Sequence, residues 1–328
     1  MTHSGNDIHS LLFTLPRMLS IVLPIYNEEE GLFSFYESLI DTLKASKLSY
    51  QLLLVNDGST DDSLVVIKRI CSIDTHAKYI NLSRNFGHQI AVTAGIEHST
   101  GDAVVLIDSD GQDPPALIPE MLTKMEEGYD VVYAKRNKRA NESWLKKTTA
   151  ALFYKILRYI TTIDIPVDTR DFRITNTKVV NALSHMTEQQ RFLRGQIAWL
   201  GFKQTYVLYD RQGRNAGKTG YTYRKMFRLA LDGITSFSNW PLRIATLSGF
   251  VCAAVGLLLI LYTLYSRFIL NIYEPGWASL MITIVFLGGI QLLGIGVIGE
   301  YISRINDNVK NRPLYLVEDT NLEKNKDA

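Results

Sequence analysis

Residues 104–115 read Val104-Val-Leu-Ile-Asp108-Ser-Asp110-Gly-Gln112-Asp113-Pro114-Pro115. The apolar run at the start, rich in β-branched side chains, is typical of a short buried strand. Residues i and i+2 of an extended segment point to the same side, so Asp108 and Asp110 are expected to converge on a cation. Their oxygen ligands suit Mg²⁺ or Mn²⁺, which leave coordination positions for phosphate oxygens. The alternative is a simple turn, because Asp, Gly and Pro are all turn formers.

The stretch lies in a region that alternates strand and helix signals as far as about residue 235. Strands are predicted at 19–23, 51–55, 78–82, 104–107 and 130–134, and helices at 28–45, 61–72, 87–98 and 116–127. Such alternation predicts an α/β domain with a mostly parallel sheet covered by helices on both faces. Ligands of these sheets bind at the carboxyl ends of the strands.

Polar groups follow three of the predicted strands. They are Tyr26-Asn27-Glu28-Glu29, Asn56-Asp57-Gly58-Ser59 and Asp108-Ser-Asp110. The first two strands lack the G-x-G-x-x-G turn of a dinucleotide fold, and G-x-x-x-x-G-K-[ST] occurs nowhere in the chain. These absences disfavour a hydride-transferring enzyme and a P-loop NTPase. The remaining interpretation is a nucleotide-binding site at the sheet edge, with a metal ion at the diphosphate.

Composition narrows the class of protein further. The 328 residues are too many for one ordinary domain. A formal net charge of +2 argues against a nucleic-acid-binding surface. The two cysteines, Cys71 and Cys252, indicate neither a disulfide framework nor a zinc site, so a reducing compartment is expected. Residues 1–17 carry no signal-peptide pattern and are expected to form a loose arm.

Two uncharged apolar stretches predict a membrane hairpin. Residues 244–266 and 277–299 each span 23 residues, which as helices would reach about 34 Å, enough for a hydrocarbon core of about 30 Å. The alternative is a pair of buried core helices. Basic residues after the second stretch put both termini in the cytoplasm by the positive-inside tendency. The expected parts are a domain over 18–235, two transmembrane helices within 242–300 and a cytoplasmic tail over 301–328.

Glycines in the second stretch would let helices approach closely. They are Gly288, Gly289, Gly294, Gly296 and Gly299. This pattern fits a homo-oligomer and fits packing within the hairpin equally well. Residues 142–160 and 222–238 are amphipathic, as expected of helices at a bilayer surface or of helices packed on a domain.

Together the motifs resemble family 2 glycosyltransferases with the GT-A fold. The resemblance rests on Val22-Leu-Pro24-Ile-Tyr26-Asn27-Glu28-Glu29, Val55-Asn56-Asp57-Gly58-Ser59-Thr60-Asp61 and Asp108-Ser-Asp110-Gly-Gln112-Asp113-Pro114-Pro115. Ser83-Arg84-Asn85-Phe86-Gly87, Asp168-Thr-Arg-Asp171-Phe172-Arg173 and the hairpin match the polyprenyl-phosphate branch, which includes dolichyl-phosphate mannose synthases and bactoprenol glucosyltransferases. The resemblance spans roughly residues 18–312.

The resemblance implies a role for each set of residues. Those expected to bind the nucleotide-sugar donor are Pro24, Tyr26, Asn27, Glu28, Asp57 and Asn85, with Asp57 accepting a hydrogen bond from the base. Asp108, Asp110 and Gln112 would hold the Mg²⁺ or Mn²⁺ ion. Asp171, with Asp168 as the second choice, stands where the family places a candidate base. We expect Asp171 mainly to orient the acceptor site by holding Arg173 or a lipid-binding arginine, because an acceptor phosphate with a second pKa of about 6 is already ionised near pH 7.

Basic residues are expected to hold the acceptor phosphate at the bilayer surface. They are Arg136, Arg139, Arg211, Arg214 and Lys218. The planar fork of arginine suits phosphate oxygens, although the same charges could simply contact anionic lipids. The chain departs from the branch at Thr219-Gly220-Tyr221, where Ser-Lys-Tyr is usual, and Lys218 is the candidate substitute.

The resemblance implies transfer of one sugar, with inversion, onto a polyprenyl phosphate such as undecaprenyl phosphate at the inner membrane. UDP-glucose is the expected donor, with GDP-mannose, UDP-N-acetylglucosamine and aminoarabinose-type donors as alternatives. A downstream flippase and a periplasmic glycosyltransferase are further candidate partners. A processive polysaccharide synthase would need Gln-x-x-Arg-Trp, which Gln189-Gln-Arg-Phe192 does not supply. The other alternative is a membrane scaffold without catalysis, or a lipid-binding partner of a flippase.

Overall fold

A computed structural model of the chain describes residues 18–137, 169–209, 240–269 and 276–323. The predicted arm at 1–17 and the amphipathic segments 142–160 and 222–238 lie outside these ranges. The described residues form two compact units. One comprises 18–137, 169–209 and 313–323, and the other comprises 240–269 and 276–312.

The first unit is an α/β domain. Its strands are β1 (Leu19–Ile25), β2 (Tyr50–Asn56), β3 (Ala77–Leu82), β4 (Ala103–Leu106), β5 (Val131–Arg136), β6 (Thr169–Asn176), β7 (Gln204–Tyr209) and β8 (Val317–Thr320). Its helices are α1 (Leu32–Ala45), α2 (Ser63–Ile73), α3 (His88–Glu97), α4 (Ile118–Glu126), α5 (Thr177–Ser184) and α6 (Leu193–Leu200). A short 3₁₀ turn over Pro115–Leu117 leads into α4.

All eight strands form one sheet in the order β7-β5-β6-β4-β1-β2-β3-β8. β1 pairs in parallel with β2 and β4, and β2 in parallel with β3. β6 is antiparallel to β4 and β5, and β8 is antiparallel to β3. The predicted mostly parallel α/β sheet is therefore confirmed. The two antiparallel strands were not predicted, nor were β7, α5 and α6.

The central strand explains why the sheet has helices on both faces. Every residue of β1 is buried, as expected of a strand covered on both sides. Its alternate residues enter different cores. Ile21 and Leu23 pack in the cluster that includes Leu39 and Leu43 of α1, while Val22 packs in the cluster that includes α3. Because helices cover both faces of the sheet, its open border is the one where the parallel strands have their carboxyl ends. This border is called the sheet edge below.

The second unit consists of two long helices, α7 (Trp240–Phe268) and α8 (Trp277–Lys310), which contact each other. The segments Trp240–Ser266 and Thr283–Lys310 are long and apolar enough to cross a membrane, and the most apolar part of each has no buried residue among those that the structure describes. The predicted stretches 244–266 and 277–299 lie within these helices. The second helix extends beyond the expected end at residue 300, because residues 301–310 continue α8. Within the segment expected as a tail, residues 317–320 form β8.

The glycines of α8 make no close contact with the described residues of α7. A Cβ atom added at Gly288, Gly289, Gly294, Gly296 or Gly299 would meet nothing within 4 Å. The close approach that these glycines permit is thus not used between the described residues of α7 and α8. The role of these glycines in a homo-oligomer stays a prediction.

Candidate active site

The sheet topology brings the predicted motifs to one edge. β1, β2, β3 and β4 are parallel, so the loops that follow them leave the sheet at the same edge. β6 runs the opposite way and therefore begins there. Leu106 at the end of β4 pairs with Arg173 of β6, so Asp108 just beyond β4 lies near Asp171 at the start of β6, and His88 Nε2 lies within 3.8 Å of a carboxylate oxygen of each. Two motifs more than sixty residues apart are joined in this way.

The loops after β1 and β2 are held together by hydrogen bonds. Asn27 has a left-handed backbone, with φ of 55°. Its amide donates to Ser59 Oγ at 3.1 Å, and its Oδ1 accepts from the Thr60 amide at 2.8 Å. The Glu28 amide donates to Ser63 Oγ at 2.9 Å. The loop that carries the predicted donor-binding residues therefore has a defined shape.

Tyr26 and Pro24, both in the first motif, lie in different environments. Tyr26 is 47% exposed at the end of β1, where its ring is open to a planar ligand. Pro24 is buried within β1, where it pairs with Val55 and its carbonyl accepts from Ser109 Oγ at 3.1 Å. Pro24 therefore contributes to this sheet edge through its backbone carbonyl, which binds Ser109.

Asp57 binds the backbone of the loop that follows β3. Its Oδ1 accepts from the Phe86 amide at 2.7 Å, and its Oδ2 accepts from the Gly87 amide at 3.0 Å. Burial raises the pKa of Asp57, although these two amides favour its ionised form. Its predicted hydrogen bond to the nucleotide base stays a prediction. Asn85, in the same loop, is exposed at the site edge.

Asp108 and Asp110 lie in a turn beyond the end of β4. The strand ends at Leu106, so the expectation of one extended segment carrying both carboxylates is wrong, and Gly111 with φ of 68° allows the chain to turn. Ser109 between them is buried, while both carboxylates are half-buried. Asp110 Oδ1 accepts from the Gln112 amide at 3.0 Å. The alternation of inward and outward side chains nevertheless persists from 107 to 110.

The carboxylates of Asp108 and Asp110 suit a divalent cation that also binds a substrate. Burial, together with the negative charges of Asp171, Asp113 and Asp110, raises the pKa of Asp108 to about 6 against the opposing effect of His88. A cation would relieve this excess of negative charge. Among the described residues, no three His, Cys, Asp or Glu side chains form a ready-made metal cluster. Two carboxylates fit Mg²⁺ or Mn²⁺ if substrate phosphates and water complete the coordination. Gln112, the third predicted ligand, is buried.

Asp171 is surrounded by cationic side chains. Its Oδ1 accepts from Arg173 Nη2 at 2.8 Å and from Arg194 Nε at 3.2 Å. His88 Nε2 lies 3.2 Å from Asp171 Oδ2 and 3.8 Å from Asp108 Oδ1. Burial alone would raise the pKa of Asp171, but Arg194, His88 and Arg173 together hold it well below its usual range. The carboxylate is therefore a fixed anion that orients two guanidinium groups and the His88 ring.

Sequence reasoning missed His88 and Arg194. His88 was detectable, because it follows the Ser83–Gly87 motif at the start of α3, directly beyond the carboxyl end of β3. Arg194 had no such signal, since α6 was not predicted. Arg173 was proposed as a partner of Asp171, and the structure shows this contact.

The remaining predicted residues lie largely outside the described ranges. Arg136 ends β5, and its side chain is not described. Residues of the acceptor and catalytic sets outside the described part of the chain are Asp168, Arg139, Arg211, Arg214 and Lys218. Their roles stay predictions.

The chain matches two protein families over separate ranges. Residues 20–184 match glycosyl transferase family 2, and residues 240–305 match the GtrB C-terminal hairpin. The first range contains the sheet edge described above, and the second contains most of α7 and α8.

Curated relatives cover almost the whole chain. The uncharacterized glycosyltransferase YkcC of Bacillus subtilis (strain 168) is 48% identical over 91% of this chain and 93% of its own length. The prophage bactoprenol glucosyl transferase homolog of Escherichia coli (strain K12) is 38% identical over 92% of this chain and 98% of its own length. The bactoprenol glucosyl transferase of Shigella phage SfII is 38% identical over 92% and 97%. Together with the geometry of the sheet edge, these matches establish that the chain is a glycosyltransferase and belongs to glycosyl transferase family 2.

Proposed function

We propose that the protein transfers a single sugar from a nucleoside diphosphate sugar to the phosphate of a polyprenyl phosphate such as undecaprenyl phosphate. The observation that carries this proposal is the likeness over 92% of the chain, domain and hairpin together, to relatives named bactoprenol glucosyl transferases. Those names favour glucose, and hence UDP-glucose, as the donor. The apolar helices α7 and α8 support membrane association, which a polyprenyl acceptor requires.

The donor would occupy the edge formed by the loops after β1, β2 and β4. Tyr26 offers an exposed ring for the base, and the bonded loop of Asn27 and Glu28 offers a preformed pocket wall. Asp108 and Asp110 would hold Mg²⁺ or Mn²⁺ at the diphosphate. When bound, the ion would neutralise the charge that develops on the departing nucleoside diphosphate.

The environment of Asp171 supports direct attack by the acceptor phosphate. A carboxylate held by Arg194, His88 and Arg173 is a weak base, and a phosphate oxygen that is already ionised needs no strong one. The demanding task is to bring two anions together, for which fixed cations are suited. One in-line displacement would invert the anomeric centre. Further proposed contacts of the acceptor phosphate are Arg136, Arg139, Arg211, Arg214 and Lys218.

A panel of donors tests the proposal. Purified full-length protein is incubated with undecaprenyl phosphate, Mg²⁺ and each of UDP-glucose, GDP-mannose, UDP-N-acetylglucosamine and an aminoarabinose-type donor. We expect a glycolipid with inverted anomeric configuration from UDP-glucose. Transfer from another donor would change the sugar assignment, and no glycolipid from any donor would contradict the proposed function.

The same assay tests the metal. We expect EDTA to abolish transfer, and Asp108→Asn or Asp110→Asn to lower turnover at least about 100-fold, the scale of losing one key electrostatic group. Asp102→Asn, on an exposed side chain before β4, is a control that removes the same charge away from this turn. Full activity in metal-free buffer would contradict the metal assignment.

A further inference from the structure

The segment after the second apolar helix is part of the domain's sheet. Only six residues, 311–316, separate α8 from β8. β8 pairs with β3, and the Ser83 amide donates to the Leu316 carbonyl at 2.9 Å, directly beyond the end of β3. Asp319 accepts from Lys68 Nζ and from the Tyr79 hydroxyl, both at 2.8 Å. The segment is thus fixed at the border of the site.

Glu318 of β8 begins a line of side-chain hydrogen bonds that runs into the sheet edge. Asn81 Nδ2 donates to Glu318 Oε2 at 3.1 Å, and Asn56 Nδ2 donates to Asn81 Oδ1 at 2.7 Å. Asn56 Oδ1 then accepts from Ser59 Oγ at 2.6 Å and from the Ser59 amide at 3.3 Å. Ser59 Oγ in turn accepts from the Asn27 amide at 3.1 Å. The line crosses β3, β2 and the loop after β1.

A carboxylate at one end fixes the direction of every bond in this line. Glu318 can only accept, so Asn81 must turn its NH₂ group toward it and its oxygen toward Asn56. Asn56 must then present its NH₂ group to Asn81 and its oxygen to Ser59. The Ser59 amide at the other end can only donate, which agrees with this order. A donor at position 318 would conflict with it.

Burial makes such a conflict costly. Asn56 and Asn81 are 2% and 5% exposed, so water cannot readily replace the bonds of these two amides, although Glu318 at the end of the line is itself exposed. A buried amide left without a hydrogen-bond partner destabilises the protein by the full desolvation cost of the group. Linked hydrogen bonds also strengthen one another, so the loss of one weakens the next. Reversal of Asn81 would therefore be transmitted to Ser59 and to the loop of Asn27. This loop is the one that we propose binds the donor.

We propose that Glu318 is a positioning residue for the donor site, acting through Asn81, Asn56 and Ser59 on the loop of Asn27. The proposal rests on the proposed function in one respect, that this loop binds the nucleotide. It assigns the segment beyond α8 a part in donor binding, although its own residues need not touch the donor. Loss of the order set by Glu318 weakens donor binding and leaves the chemical step largely intact.

The test compares three single variants of the full-length protein. Glu318→Lys replaces the acceptor with a donor, whereas Glu318→Gln keeps an acceptor oxygen. Glu323→Lys makes the same change of charge at an exposed position of the same segment. For each we measure UDP binding by calorimetry, the donor KM, kcat and the melting temperature.

We expect Glu318→Lys to weaken UDP binding and raise the donor KM at least about fivefold, the scale of one net hydrogen bond. Its kcat should change less than about twofold, and Glu318→Gln and Glu323→Lys should resemble wild type. An unchanged KM for Glu318→Lys, or a fall in kcat and melting temperature without a change in KM, would overturn the inference. If wild type itself binds no nucleotide, the proposed function fails instead, so the two failures are distinguishable.

Discussion

At the scale of single residues, two facing carboxylates have opposite electrostatics. Asp108 lies just beyond the end of β4 and Asp171 lies in β6, with His88 near both. Burial and neighbouring carboxylates raise the pKa of Asp108 to about 6. The pKa of Asp171 is held well below its usual range by Arg194, His88 and Arg173, despite burial. An added cation would therefore stabilise the ionised form of Asp108, whereas the charge of Asp171 is already balanced by neighbouring arginines.

Asp171→Asn should lower activity by disturbing the cations, not by removing a base. We therefore expect the deficit relative to wild type to stay constant between about pH 6 and 9, because the second ionisation of the acceptor phosphate, with a pKa of about 6, affects wild type and variant alike. The measurement is kcat/KM against pH for wild type and variant. Recovery of the variant at alkaline pH would show that Asp171 is a general base.

The same variant should also be less stable, because Arg173 is fully buried and would lose its carboxylate partner. Removing one member of a buried ion pair typically costs about 3–5 kcal/mol of unfolding free energy. The folded-state pKa of Asp171 is lowered, so its stabilisation is present above the unfolded value of about 3.9 and is lost as pH falls below it. Denaturant unfolding of the α/β domain should show a difference from wild type that is full at pH 7 and narrows in acid.

At the scale of elements, the loop after β3 lies directly on the loop after β2. Gly58 has φ of 64°, and a Cβ atom there would lie 2.4 Å from the Arg84 carbonyl carbon and 2.5 Å from the Asn85 nitrogen. Both neighbours are backbone atoms and cannot move aside as a side chain could. The Phe86 and Gly87 amides of the same loop donate to Asp57. Close approach and hydrogen bonding together therefore set the start of α3, where His88 lies.

Gly58→Ala should separate these two loops. We expect a lower melting temperature and at least about tenfold weaker UDP binding, because both the steric clash and the left-handed backbone disfavour alanine. Gly201→Ala is the matched control, since Gly201 has φ of 71° but nothing lies within 4 Å of the added Cβ. It should show only the cost of the backbone conformation, with UDP binding unchanged. Equal effects of the two variants on UDP binding would contradict the role given to the close approach.

At the scale of the whole molecule, the sheet constrains membrane topology. β1 lies before α7 in the chain and β8 lies after α8, yet both belong to one sheet. If α7 and α8 both cross the bilayer, the chain on either side of the hairpin must be on the same side of the membrane. The basic residues Arg304, Lys310 and Arg312 favour the cytoplasmic side for both.

Cysteine labelling in intact cells tests this topology. In a background with Cys71→Ser and Cys252→Ser, we expect a membrane-impermeant thiol reagent to label Asn271→Cys in the hairpin loop and not Asn325→Cys near the C-terminus. Permeabilised cells provide the control, in which both positions should react. Labelling of Asn325→Cys alone in intact cells would show the reverse orientation. Labelling of both would contradict two complete crossings.

Much of the fold follows from local patterns in the sequence. β1 to β5, α1 to α4 and the two apolar helices were predictable, because burial imposes a period on hydrophobic residues that a short window reveals. Length and hydropathy alone revealed the hairpin. β6 was harder, since only Phe172 and Ile174 of its eight residues are apolar, and the charge of Asp171 is balanced in part by the distant residues Arg194 and His88.

Local sequence patterns were enough to predict the type of each main element and the motifs at the strand ends, since both depend on neighbouring residues. Tertiary structure alone decided which motifs meet. It brought His88 and Arg194 to Asp171, and joined Glu318 to Asn81 across 237 positions of the chain. These contacts depend on strand order and direction, which hydrophobic periodicity does not encode. Sheet topology therefore converts separate polar motifs into one electrostatic site.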